Sequence, residues 1–450
     1  MIFPTGRRAL LTALVAGAAG SAPPFATHAQ VLTLGAAVDS ALATHPSLSG
    51  AAARVDAAQR SLSAAEATRL PSVALSAGLT RFDEPMIVAP FHSLDLTTPP
   101  DFDRTLVRGQ IGLRHTLFDG GARASRIRGA AAVAEAAGLG RADAIMEVLE
   151  QSTVAYLAVL SARAVESAAG RLVSALEAER SRAQQSVEVG TAAQLELLRA
   201  AAAFQDARAQ NASASARVGL AERVLARVMG TGPARIAGAE LAGVEATGVE
   251  AAESTSSITS SRSSPLIGRA RRLVAAAEAQ VSEERARRLP TIDAAAGILG
   301  YGTAGGGHVA EWQAGFQVSW SLFTGGARNA SVERAGADLR AARSDLAMAE
   351  LRVANAVDPA ETAVLEADAR AEALALSVTQ WEEVARIEAL ALDVGSGVQS
   401  DRLRAEAGLF QARAGHTRAI HDAALARLRL ARAQGILDRA WIDEALENRR

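Results

Sequence analysis

The 450-residue sequence contains no cysteine and no lysine. The missing cysteine excludes disulfides, thiolate metal sites, a cysteine nucleophile and a lipid carried on an N-terminal cysteine. With lysine absent, arginine supplies all 47 basic residues against 49 acidic ones, and the net charge is only −2. So balanced a chain lacks the basic footprint of a nucleic-acid binder. Aromatics make up 4% and prolines number 13, while alanine supplies roughly a quarter of the chain, far above average usage. That mixture favours long helices over a compact aromatic core. A chain that is 49% apolar and 21% charged is not a disordered acidic tail either. Catalytic patterns are missing too. Among the seven histidines, His416 and His421 are the near neighbours, at a spacing that does not face one ligand, and neither a His-Glu-x-x-His nor a P-loop occurs. Gly230-Thr231-Gly232-Pro233 has a proline and no preceding strand, and Gly305-Gly306-Gly307 reads as a loop. No catalytic residue, metal ligand or cofactor is expected, and the chain does not read as an enzyme.

Residues 1–29 read as a secretory signal peptide: Arg7-Arg8, the apolar run Ala9 to Ala19, then small residues ending Thr27-His28-Ala29. Pro23-Pro24 argues against an ordinary continuing helix. The mature protein then starts near Gln30. The apolar run is too short to span a bilayer, and nothing later is expected to reach the ~18 uncharged apolar residues a membrane helix needs.

The remainder is one unit written twice, an internal two-fold repeat. His45-Pro46-Ser47-Leu48 recurs as Ser264-Pro265-Leu266, and Leu70-Pro71 as Leu289-Pro290. Leu117-Phe118-Asp119-Gly120-Gly121-Ala122-Arg123 recurs as Leu322-Phe323-Thr324-Gly325-Gly326-Ala327-Arg328. The stretch from Gly190 to Arg208 matches that from Gly395 to Arg413. The second copy is shorter only between its Leu-Pro and Leu-Phe landmarks, so the halves differ in one loop. Residues 30–233 form the first repeat, 234–263 a Ser/Ala-rich linker, 264–437 the second repeat and 438–450 a C-terminal tail. Each repeat predicts a helix to the Leu-Pro, two strands to the Gly-Gly turn, then a very long helical tract broken once at a glycine. As one helix, 122–189 would extend ~100 Å. Its apolar periodicity is Ala-rich and shallow rather than Leu at every coiled-coil core position, which suits many helices packed side by side.

Four strands are expected, at about 72–82, 105–118, 291–301 and 310–323. Trp312, Ala314, Phe316, Val318, Trp320 and Leu322 share one face of the last; Glu311, Gln313, Gln317, Ser319 and Ser321 share the other. In the first repeat Val107, Gly109, Ile111, Leu113, His115 and Leu117 oppose Arg108, Gln110, Arg114 and Thr116. Apolar-out, polar-in alternation over about ten residues is the requirement of a transmembrane barrel strand. A soluble antiparallel sheet would alternate too, but nine of the sixteen aromatics, among them Phe82, Phe91, Phe102, Phe118 and Tyr301, fall in 82–118 and 301–323. Such placement suits an interfacial girdle, with Trp312, Phe316, Val318 and Trp320 facing lipid. Loops at Asp83 to Arg104 and Gly302 to Val309 would face outward. Four strands cannot close a barrel, and lipid does not tolerate open edges. Three copies give twelve strands and room for a lumen, whereas eight strands from two copies are filled by side chains. A homotrimer is expected.

At this point the chain resembles the TolC-like outer-membrane efflux proteins. The likeness rests on the opening from Leu34 to Pro46 (His45 where the family has Asn), both Leu-Pro pairs, both Leu-Phe-x-Gly-Gly-x-Arg turns and both glycine breaks, from Leu32 to about Leu437. It implies a mainly α fold with a small transmembrane β part. Four strands per subunit build a 12-stranded outer-membrane β-barrel that continues into a periplasmic α-helical barrel. It also implies a passive trimeric exit duct for tripartite efflux or type I secretion. The partners implied are a periplasmic adaptor and an inner-membrane transporter, proton-driven or of the ABC type. Gly120, Gly121, Gly325 and Gly326 then make the barrel-to-helix turns. Gly190 and Thr191, with Gly395, Ser396 and Gly397, become adaptor-docking helix tips, where glycine ends one helix and Thr or Ser caps the next. Glu196 and Asp401 stand six residues beyond Gly190 and Gly395, where the family's second-half acid lines the periplasmic aperture. Three copies of Asp401 would make a cation-preferring ring. Arg404 replaces a second family acid, and either carboxylate would also suit a helix N-terminus wherever it lay. A periplasmic coiled-coil adaptor or a poreless structural protein are readings of another class. Asp358-Pro359 interrupts the second long helix with no counterpart in the first repeat.

Overall fold

The computed structural model describes residues 31–88, 97, 102–237, 239–244, 264–303, 305–306 and 308–446. The expected signal peptide, the Ser/Thr-rich run of the linker and most of the 83–104 loop, Phe91 included, lie outside the described residues. In chain order the elements are α1 (Leu34–Thr44), α2 (Pro46–Ala67), β1 (Ser72–Ile87), β2 (Phe102–Phe118), α3 (Ala122–Glu188), α4 (Gln194–Val228) and α5 (Ala234–Ala237). There follow α6 (Pro265–Ala286), β3 (Thr291–Thr303), β4 (His308–Ser319), α7 (Ala327–Asp393), α8 (Gln399–Gln434) and α9 (Arg439–Ala445). The fold is mostly helical with one small sheet. α2 and α6 both run 22 residues, and α3 and α7 both run 67.

Local chemistry sets the helix starts. Thr33 accepts the Ala36 amide at 3.2 Å and opens α1. His45 takes the same part for α2, with Nδ1 accepting from the Ser47 amide at 3.3 Å and Pro46 in the first turn. A ring nitrogen does here what a short polar side chain does at most N-caps, and proline costs nothing at a position whose amide has no helical partner.

The sheet is antiparallel in the order β1-β2-β3-β4. Its strands depart from the expected limits for identifiable reasons. β1 continues to Ile87, but its ladder with β2 is irregular between Arg81 and Met86, where Pro85 has no amide to donate. β2 starts at Phe102, so the connecting loop is shorter than Asp83 to Arg104. β3 extends to Thr303. β4 spans 308–319 rather than 310–323: Thr291 pairs with Ser319, and the next partner would be Pro290, which cannot donate. Trp320, expected in the strand, lies just beyond it and donates its indole N–H to the Arg288 carbonyl at 3.1 Å.

Below the sheet the helices form one layer. In its upper part α3 packs between α2 and α6, and α7 follows α6; in its lower part the order is α4, α3, α8, α7. The main core sits midway along α3, where Leu149, Tyr156, Leu157 and Val159 meet Leu34, Val38, Leu225, Leu428, Ile442 and Leu446. An 18-residue window of α3 reaches a mean hydropathy of 1.2, although no later stretch was expected to be apolar enough to span a bilayer. Half of it is buried in the protein, because α3 supplies this core. The Tyr156 hydroxyl lies 2.7 and 2.8 Å from the carbonyls of Leu32 and Ala242, beside the bridge that pairs Leu32 with Leu241. Arg163 fastens the same junction, meeting Glu222 at 2.6 Å and the Ile236 and Ala239 carbonyls at 2.9 and 2.8 Å.

Residues 438–450, read as a tail, instead contribute α9. Asp438 caps it at the Trp441 amide (2.7 Å), and Ile442 and Leu446, one turn apart, are fully buried. Within the lower layer, glycine permits a close approach at Gly408, where a Cβ would come within 2.7 Å of three ring carbons of Trp381. α7 runs through Pro359 without a break. The proline leaves the Asn355 carbonyl without its helical donor, and both residues are exposed.

Candidate functional site

The sheet sorts its side chains into two faces. Val73, Leu75 and Leu79 pair with Leu113, Ile111 and Val107. Ile111 pairs with Ile298, Ile298 with Trp312, Ala294 with Phe316 and Ile292 with Val318. Successive strand residues point to opposite faces, so this register collects the apolar set on one side. A bulge between Thr116 and Phe118 lets Phe118 pair with Ile292 and join it. The face is bare: Leu75 is 77% exposed, Trp312 79% and Phe316 78%. The opposite, concave face carries Ser72, Ser76, Gln110, Arg114, Gln313 and Gln317. There Thr116 donates to Asp293 at 2.5 Å and Tyr301 to Glu311 at 3.4 Å. Burial explains neither face, since a soluble sheet would cover the apolar one.

Both strand pairs feed into long helices through a double-glycine turn. Gly120 and Gly121 have φ of 65° and 89°; Gly325 and Gly326 have 59° and 86°. Left-handed backbone is costly for any residue with a Cβ. The two turns differ in what holds them. Asp119 accepts from the Gly121 amide (3.0 Å), the Arg123 amide (2.9 Å) and Arg123 Nε (2.9 Å). Burial alone would raise the Asp119 pKa, but these bonds to the charged form outweigh it and hold the carboxyl below its ordinary value. Thr324 replaces Asp119 in the second turn, and Arg328 instead donates to the Ser321 carbonyl at 2.7 Å. Beside the first turn, Glu283 meets Arg126 and Arg287 at 2.8 and 2.7 Å. Its pKa is also lowered, burial being outweighed by the two guanidinium groups. The sequence marked the glycines but not this carboxylate–arginine network.

At the far end α3 turns into α4 and α7 into α8, by one geometry. Gly190 and Gly395 have φ of 77° and 80°. Thr191 and Ser396 return their amides to the carbonyls of Ser186 (2.8 Å) and Ala391 (2.9 Å), the bond that closes a helix C-terminus over a left-handed glycine. Their hydroxyls bond the same carbonyls, at 3.0 and 3.2 Å. The expectation that Thr191 or Ser396 caps the following helix is therefore corrected. The N-cap residues are Ala193 and Val398, which make no side-chain cap bond. The hydroxyls are already spent on the preceding helix. Gly397 completes the second turn, its amide 2.9 Å from the Ala391 carbonyl. Val189, Leu195, Val394 and Val398 are all more than half exposed around these turns.

Glu196 and Asp401 occupy the first turns of α4 and α8. Asp401 is not a bare charge. Arg404 Nη1 lies 3.0 Å from its Oδ1, the contact that a three-residue spacing on one helix face allows. Both side chains reach solvent. The departure at Arg404 was visible in the sequence, but its pairing with Asp401 depends on a rotamer that spacing alone does not select. Among the described residues there is no cluster of His, Asp or Glu that could hold a metal ion.

A family model described as "Outer membrane efflux protein" matches residues 37–231 and 260–436. Protein CyaE of Bordetella pertussis is 28% identical over 94% of this chain and 88% of its own length. Among solved structures, the Campylobacter jejuni CmeC outer membrane channel superposes with a TM-score of 0.76 at 16% identity, covering 91% of this chain and 88% of that one. The outer membrane protein VceC of Vibrio cholerae gives 0.72 at 20% identity, covering 89% and 96%.

Proposed function

The chain belongs to the outer membrane efflux protein family, and we propose that three copies of it form the passive exit duct of a tripartite efflux pump. It is an outer-membrane protein with a large helical part in the periplasm. The observation that carries the proposal is the four-stranded sheet with one bare apolar face, one polar face and, among the described residues, two unpaired edges. In lipid such edges must be closed. Copies joined edge to edge close them, put Trp312, Phe316 and Val318 against acyl chains with Trp320 at the rim, and turn Gln110, Arg114, Gln313 and Gln317 toward a wet lumen. Three copies supply the twelve strands that leave a lumen open.

The helices extend the duct through the periplasm. Their tips, around Gly190-Thr191 and Gly395-Ser396-Gly397, are the docking points for a periplasmic adaptor, and the exposed Val189, Val394 and Val398 beside them are its apolar footholds. An inner-membrane transporter supplies the energy; the chain itself carries out no catalysis. Asp401 lines the aperture at the tunnel end, where its pairing with Arg404 leaves a weaker negative ring than three free carboxylates. Glu196, with the same position on α4, is the second lining acid. A second reading, the outer-membrane channel of a type I protein secretion system, is favoured by the likeness to Protein CyaE. Both uses share the wall described here, and the partner transporter separates them.

Fractionation and conductance test the proposal together. The protein is expected in the outer membrane as a heat-sensitive trimer, and the purified trimer is expected to conduct ions across a planar bilayer. A soluble monomer without conductance would overturn it.

A further inference from the structure

We propose that the periplasmic wall is sealed between neighbouring copies by α4 of one and α7 of the next, through two matched apolar stripes. This rests on the trimeric reading above and goes further by fixing which residues meet. In the lower part of the helical layer α3 and α8 are flanked on both sides, so α4 and α7 form its two outer edges. The same order holds in the sheet above, where β1 and β4 are the edges. Closing a ring of copies therefore brings α7 of each against α4 of its neighbour.

Both edges carry large apolar side chains that nothing among the described residues covers. On α7 these are Leu365 (73% exposed), Leu376 (62%), Ile387 and Leu390; on α4 they are Leu195, Leu198 and Leu220. Leu365, Leu376 and Ile387 follow one another at eleven-residue intervals, as do Leu198, Ala209 and Leu220. Eleven residues make close to three helical turns, so each set forms a straight stripe on one face.

The two stripes are also level with each other. α3 and α7 start at equivalent glycine turns and both have 67 residues, so Gly190 and Gly395 lie at the same depth. Counted from those glycines, Leu195 and Leu390 are each five residues up, and Leu198 and Ile387 eight. Ala209 and Leu376 are nineteen up, and Leu220 and Leu365 thirty. α4 and α7 run in opposite directions, so residues at equal counts face each other. Charge on the same faces agrees at one level: Arg227 stands opposite Asp358, and both are exposed. A seam of this kind is apolar along the lower helices and closes above with Asp358 of α7 facing Arg227 of α4.

The absence of cysteine makes cross-linking a clean test. In the full chain, inserted in outer membrane, the paired substitutions Leu198→Cys with Ile387→Cys and Leu220→Cys with Leu365→Cys are made and mildly oxidised. Both are expected to give covalent dimers and trimers as the main species on a non-reducing gel. Leu198→Cys with Leu376→Cys, a mismatch of eleven residues or ~16 Å along the axis, is expected to stay below about a tenth of that yield, because a disulfide needs Cα atoms within ~7 Å. A trimer that cross-links equally or better through the mismatched pair overturns the register while leaving the duct intact. A trimer that cross-links through none of the three overturns the α4–α7 seam, and a chain that is monomeric before oxidation removes the trimeric reading itself. Leu376→Glu provides a second check. Its side chain lies on the surface of the single chain, so helix content by circular dichroism should be unchanged while the heat-sensitive trimer is lost. An unaffected trimer would contradict the seam.

Discussion

Ala314 and Gln313 are neighbours in β4 with opposite assignments, and replacing each by arginine separates a lipid-facing sheet from a soluble one. Gln313 pairs with Gly297, at the centre of β3, and Ala314 with Ala296, so both lie near the mid-height of the ribbon. Arginine on the lipid side of a barrel strand costs about 2–4 kcal/mol at the bilayer midplane and far less at the interfaces. Three copies raise that to roughly 6–12 kcal/mol per trimer, comparable to the whole stability of an ordinary domain. On the lumen side the same side chain reaches water and is expected to cost little. Ala314→Arg should therefore empty the outer-membrane fraction of heat-sensitive trimer, whereas Gln313→Arg should leave its yield within about twofold and shift conductance toward anions. Yield is read by fractionation and unheated gel electrophoresis, conductance in planar bilayers. Equal insertion of both variants, or loss of Gln313→Arg alone, would refute the face assignment.

Other consequences can be measured on the same protein. Gly120→Ala should lower the melting temperature of the trimer more than Gly325→Ala. Both force a Cβ into left-handed backbone at about 1–2 kcal/mol, but only at Gly120 would the Cβ also meet the Ala286 carbonyl at 2.9 Å and Leu289 at 2.8 Å; equal melting temperatures would contradict this. His421 is buried, its Nδ1 2.6 Å from Ser161 Oγ across the α3–α8 contact. Burial lowers its pKa, against a smaller opposing effect of Asp422. The folded state thus prefers the neutral ring, and its stability is full above the ordinary histidine value of 6.5 and falls as pH drops from there toward the lowered pKa. Thermal melts should decline over that window in wild type and less in His421→Gln; parallel curves would rule out this residue as the source. At the tips, Asp401→Ala should move ion selectivity toward anions and Arg404→Ala toward cations, with unchanged selectivity in both placing the pair outside the aperture.

How much of this was readable in advance depends on the range of the interaction. The four strands, the double-glycine turns and the two tip glycines were legible because each is set by neighbours in sequence: period-two alternation, left-handed backbone, a helix stop. Strand limits were not, because they depend on partners. β4 stops at Ser319 because Pro290 lies opposite the next residue, although Trp320 and Leu322 continue the alternation. α9 was missed although Asp438 and the Ile442–Leu446 spacing signal a capped amphipathic turn, since seven residues are too few for a convincing period. The tip hydroxyls were assigned to the wrong helix because Thr191 and Ser396 stand near both, and the Schellman turn brings the preceding carbonyl closer. The Asp119 network and the Asp401–Arg404 pair needed side-chain geometry. So did the level match of the α4 and α7 stripes, which requires two helices that are distant in sequence to start at equal height.

The account depends most on each chain supplying only a third of a closed wall. Native mass spectrometry of the detergent-extracted, unheated protein tests this directly. A single assembly of three identical chains is predicted, reverting to one chain on heating. A stable single chain or an even-numbered assembly under the same gentle conditions would contradict it.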